Sequence, residues 1–85
     1  MKGFVQDIEA LAVGNSYFRR VIYTANHCQL VLMALSPGEE IGAEVHQLDQ
    51  FFRVETGTGE VVLDGVTTPI RPGMAVLAPS GTRHN

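Results

Sequence analysis

The stretch Gly38–Gly57, GEEIGAEVHQLDQFFRVETG, decides how the rest of the sequence is read. It sets Glu44 and His46 two residues apart, Gln50 four further on, and a glycine at each end. On a strand, residues i and i+2 share a face. Glu44 and His46 therefore project together, and Gln50 rejoins them after the short polar turn Gln47-Leu48-Asp49. A carboxylate oxygen, an imidazole nitrogen and an amide oxygen directed at one point suit a divalent metal ion. A second imidazole is available from His84, at the end of Gly73–His84, GMAVLAPSGTRH.

Outward from this stretch the signals are mostly β. Tyr17 to Thr24 is rich in aromatic and β-branched residues, and Ala25-Asn26 makes a turn. Cys28 to Leu35, CQLVLMAL, is almost wholly apolar and predicts a strand buried on both faces, Cys28 included. Ser36-Pro37-Gly38 is turn chemistry, Ile41 to His46 a third strand and Gln50 to Glu55 a fourth. Gly57-Thr58-Gly59 predicts a hairpin into Glu60 to Asp64, and Asp64-Gly65 turns again into Val66 to Ile70. Met74 to Ala78 and a last strand beginning near Thr82 complete about eight short strands with turns at the 8–12 residue spacing of a sandwich or closed barrel. Before them, residues 1–15 read as an N-terminal arm or a short helix. Phe4, Ile8 and Leu11 have helical spacing and Gly14-Asn15 is a stop, but the arm is preferred.

The two segments that carry His46 and His84 resemble the paired motifs of the cupin superfamily. The first motif runs glycine, five residues, His-x-His, three or four residues, glutamate, six residues, glycine. Here it reads Gly38, five residues, Glu44-Val45-His46, three residues, Gln50, six residues, Gly57. Gly73, Pro79, Gly81 and His84 keep the spacing of the second. Glu44 stands where the family has a histidine and Gln50 where it has glutamate, an exchange that keeps one negative charge. The resemblance implies an all-β, cupin-type double-stranded β-helix, a jelly-roll barrel, over residues 16–85, which the strand count supports independently. It also implies strands beyond Asn85. Either the sequence is a C-terminally truncated fragment or a partner chain completes the sheet; such an edge invites association, so a homodimer is expected.

The resemblance further implies that Glu44, His46, Gln50 and His84 are metal ligands. A histidine at a strand end is ordinarily a lone polar residue, and His84 beside the final residue is open to fraying; two motifs in register argue for ligation by both. A carboxylate lining a barrel needs a partner, which an ion supplies. For Gln50 two readings stay open: a weak amide ligand, or a hydrogen-bonding group in a metal-free pocket. Mixed oxygen and nitrogen donors admit Mn, Fe, Ni or Zn. Phe52 and Val54 share the face of Gln50 and give the pocket an apolar wall, whereas Phe51, Arg53 and Glu55 face away, a second hint of a dimer. His27 reads as a surface residue.

Length and composition bound the rest. An 85-residue chain is one domain near the lower limit for a sufficient core. A net charge of −3, with basic residues scattered apart from Arg19-Arg20, argues against nucleic acid. One cysteine forms no internal disulfide, and no signal peptide or membrane-length apolar run is present, so a cytoplasmic protein is expected. The function expected is metal-dependent chemistry, isomerase- or dioxygenase-like, on a small organic substrate such as a sugar derivative or organic acid. The alternative is a non-catalytic small-molecule-binding module, with or without metal.

Overall fold

The computed structural model describes residues 2–85, which form two compact units, one reaching to Glu39 and the other Glu40–Asn85. In the first, residues 2–7 have no regular structure and helix α1 spans Ile8–Val13, a helix where the sequence favoured an arm. Its start is set by Asp7, whose carboxylate accepts from the Ala10 N–H at 3.1 Å. Its stop is Gly14, whose N–H donates back to the Ala10 carbonyl. Strands β1 (Arg19–Thr24) and β2 (Gln29–Met33) follow as an antiparallel hairpin, with a register shift between Val21 and Tyr23.

The hairpin loop explains two differences from expectation. Ala25 N–H donates to the Cys28 carbonyl at 2.8 Å, which draws Cys28 into the turn, so its thiol side is exposed instead of buried. Within β2 only Leu32 is buried; Leu30, Val31 and Met33 are half-buried, so the apolar run is not covered on both faces.

The second unit holds β3 (Gln50–Arg53), β4 (Gly59–Leu63), β5 (Val66–Ile70) and β6 (Ala75–Ala78). β4 and β5 form a tight hairpin through Asp64-Gly65, whose φ angles of +48° and +80° make the primed turn that matches strand twist. β3 does not pair with β4. The expected hairpin at Gly57-Thr58-Gly59 is instead a crossover, because β3 pairs antiparallel with β6, Gln50 opposite Ala78 and Phe52 opposite Val76. Val54 N–H to the Met74 carbonyl and Gly73 N–H to the Val54 carbonyl extend that pairing. Along β6 exposure alternates, and Val76 and Ala78 are buried on the face that Gln50 and Phe52 share.

Six strands form among the described residues, against about eight expected. Ile41–His46 is not a strand, because Gly42 takes a φ of +99° and gives its N–H to the Asn85 side chain. The strand expected near Thr82 is likewise reduced to a bridge at His84. His84 is bridged to Leu63, and what joins the two reduced segments is an antiparallel bridge, Glu44 opposite His84.

Candidate metal centre

That bridge is the frame of the site. Glu44 N–H donates to the His84 carbonyl at 2.8 Å and His84 N–H donates to the Glu44 carbonyl at 2.9 Å. Two residues that exchange both bonds lie directly opposite, with their side chains on one face. On its other side the same short segment is tied to the end of β4: Asp64 N–H to the Arg83 carbonyl, and a reciprocal pair between Val62 and Asn85. His84, although next to the last residue, is held from both sides and is 5% exposed.

Glu44, His46 and His84 each bring a donor atom into one cluster, all within 4.8 Å of one another, and this cluster could hold a metal ion. Glu44 Oε2 accepts from His46 Nε2 at 3.0 Å and lies 3.7 Å from His84 Nε2. The His84 ring packs between aromatic neighbours, 5.6 Å from the His46 ring and 6.0 Å from Phe52, centroid to centroid. Glu44 and His46 remain 38% and 44% exposed at their side chains, so the cluster is reached from solvent on that side.

The protonation pattern follows from the partners. A backbone carbonyl can only accept, so at 3.0 Å from Thr82 O the His84 Nδ1 carries a proton. In the neutral ring this leaves a lone pair on Nε2, which is buried and has no hydrogen-bond partner. Gln50 Oε1 is a second buried acceptor without a partner. Gln50 shares a face of β3 with Phe52, the residue whose ring meets His84. Gln50 Oε1 and His84 Nε2 are thus two buried acceptors left without a hydrogen-bond partner.

Away from the cluster, Arg53 pairs with Glu55, and Arg71 Nη1 approaches the Met74 sulfur. Two supporting groups carried no mark in the sequence reading. Thr82 contributes only a carbonyl, which no side-chain pattern reveals. Asp49 accepts from Ser80 N–H at 2.8 Å across 31 residues of sequence, a contact that the local turn reading of Gln47-Leu48-Asp49 could not supply.

The comparisons with known proteins bear on the family and the fold. A cupin domain family model matches residues 31–85. The chain is 36% identical over 91 residues to "Uncharacterized protein YrkC" of Bacillus subtilis (strain 168), covering 99% of this chain and 49% of that protein. It is 40% identical over 86 residues to "Uncharacterized protein L612" of Acanthamoeba polyphaga mimivirus, covering 95% and 53% respectively. The chain thus spans about half the length of the curated relatives it matches. The crystal structure of BH2720 from Bacillus halodurans is similar with a TM-score of 0.95 at 39% identity, over 98% of this chain and 68% of that one.

Proposed function

This chain belongs to the cupin family and has its all-β fold, and we propose that it is a metal-binding domain in which Glu44, His46 and His84 ligate a divalent ion, with Gln50 as a fourth donor. The observation that carries this reading is the His84 ring. Its Nδ1–H is committed to Thr82 O, and its buried Nε2 lone pair has no proton to meet. A buried polar group left unsatisfied costs roughly 1–3 kcal/mol. A cation bound there removes that cost, and Gln50 Oε1 benefits in the same way.

The chain's residues divide the work. Thr82 O fixes the tautomer of His84, the second-sphere role that ligating histidines ordinarily require. To ligate through Nε2, His46 gives up its hydrogen bond to Glu44, so its ring must carry its proton on Nδ1. Phe52 supplies an apolar surface against His84. The exposed side of Glu44 and His46 admits a small molecule. A bound divalent ion supplies Lewis acidity toward a carbonyl, hydroxyl or carboxylate of such a molecule. Glu44 is the one carboxylate of the cluster and the candidate proton acceptor. We propose a small organic substrate, a sugar derivative or an organic acid, with isomerase- or dioxygenase-like chemistry as the resemblance suggests.

One observation favours a second reading, a non-catalytic binding module. If Glu44, His46 and His84 all ligate, only Glu44 has an oxygen to spare as a base, and the cluster has no separate acid. Turnover of a candidate substrate that stops with a chelator and returns with metal would reject the module. Self-association belongs to the proposal too: Phe51 and Leu77 face each other across β3 and β6 and are 64% and 63% exposed, an apolar pair suited to a second copy. Light scattering on wild type and Phe51→Glu tests it, with a dimer expected only for the first.

The test of the metal reading is elemental analysis of untagged protein purified without added metal, beside Glu44→Ala and His46→Ala. Near-stoichiometric metal in the wild type and none in the variants is expected. No metal in the wild type, even after soaking with manganese, iron, nickel and zinc, overturns it.

A further inference from the structure

His46 is the ligand that regular structure does least to hold. Glu44 and His84 are fixed to each other by backbone bonds, but residues 45–49 form no strand and the His46 side chain is 44% exposed. What shapes this loop comes from the far end of the unit. Pro79-Ser80-Gly81-Thr82 is a turn closed by Thr82 N–H to the Pro79 carbonyl at 3.0 Å, with the φ of +83° at Gly81 that a type II turn requires. Its two central N–H groups are turned toward the 45–49 loop. Gly81 N–H donates to the His46 carbonyl at 2.7 Å, and Ser80 N–H donates to the Asp49 carboxylate at 2.8 Å. Successive donors on the turn thus grip the loop at both ends of the segment His46–Asp49.

From this geometry we infer that Asp49 is a positioning residue for the metal centre, a role that rests on the metal-binding reading above. Asp49 is absent from the donor cluster itself. It acts by fixing the loop that aims the His46 ring at Glu44 and by anchoring the turn whose last residue, Thr82, orients His84. One side chain thereby couples both imidazoles. The hydrogen bond, and not the negative charge, performs the task, because Ser80 N–H needs only an acceptor oxygen. Asparagine offers one at the same place; alanine offers none.

The test compares wild type, Asp49→Ala and Asp49→Asn by two measurements. Zinc affinity is measured by competition with a chromophoric chelator. Asp49→Ala should bind about tenfold more weakly, the lower end of the loss seen when the partners behind ligands are removed, and Asp49→Asn should restore most of it. On the metal-free proteins, long-range nitrogen-15 NMR of the imidazoles reads ring tautomer and environment. The His46 signals should shift and broaden in Asp49→Ala and return in Asp49→Asn, while the fold, followed by the β4–β5 amides, stays unchanged. Unchanged His46 signals in Asp49→Ala overturn the inference, as does wild-type zinc affinity in that variant. If the wild type binds no zinc, manganese, iron or nickel, the metal reading fails and the positioning of a metal centre falls with it; the NMR comparison then still reports whether Asp49 orders His46.

Discussion

Replacing His84 by leucine separates a ligand from a core residue, because the two roles predict opposite effects on stability. The side chains are close in volume, and His84 is 5% exposed, so leucine keeps most of the packing against Phe52. Two polar terms change. The bare Nε2 disappears, which relieves roughly 1–3 kcal/mol, and the bond to Thr82 O is lost, which costs roughly 0.5–1.5 kcal/mol. In a chelator the variant should therefore equal the wild type or exceed it by about 1 kcal/mol. With ion present the order reverses. A free ion at a hundredfold excess over Kd stabilises the wild type by about 2.7 kcal/mol, which for a domain of this size is roughly 10–20 °C in Tm. His84→Leu should show almost none of this shift. Thermal unfolding followed by circular dichroism, with EDTA and then with each candidate ion, reads both halves. A variant that is less stable by more than about 2 kcal/mol in EDTA and responds to ion like the wild type would refute the reasoning, and His84 would be an ordinary buried residue.

Three further outcomes are expected. Gln50→Glu puts a carboxylate where a buried acceptor has no partner: in EDTA its Tm should fall, and, if Gln50 is the fourth donor, affinity for ion should rise at least about tenfold, read by chelator competition. Gly81→Ala meets no neighbour within 4 Å, so its cost is backbone strain at a φ of +83°, about 1 kcal/mol by denaturant titration. Leu32→Ala, at a position 5% exposed, should cost about 2–3 kcal/mol in the same titration, and a loss under about 0.5 kcal/mol would deny Leu32 its place in the core.

Much of the fold could be read from local chemistry, and the failures have a common cause. Asp64-Gly65 announced a tight turn because both positions need positive φ, and it forms one. The alternation of Gln50, Phe51, Phe52 and Arg53 matches their burial in β3. What could not be read was pairing. Gly57-Thr58-Gly59 has hairpin composition, yet β3 finds its partner in β6, more than twenty residues away, because composition encodes a turn and not its destination. Ile41–His46 has strand composition, yet Gly42 and the side chain of Asn85 divert its backbone bonds. Cys28 has the apolar neighbours of a core residue, yet it is exposed because β2 begins one residue later, at Gln29.

In the candidate site, spacing and residue type carry different information. Glu44 and His84 are opposite each other through two backbone hydrogen bonds, so their separation is set by register and not by either side chain. Hydrogen-bonded opposite pairs keep their Cα atoms about 5.5 Å apart whatever they carry. A carboxylate at position 44 therefore changes the donor atom offered to the cluster without moving the donor opposite. The same logic does not protect His46, which lies two residues along an irregular loop and relies on Gly81 and Asp49 for its place. If the frame tolerates exchange at 44 but not loosening at 46, then Glu44→His should retain an ion with altered affinity, while Asp49→Ala, which touches no ligand atom, should weaken it. Metal content and affinity of that pair of variants, measured side by side, decide whether backbone register or side-chain identity defines this centre.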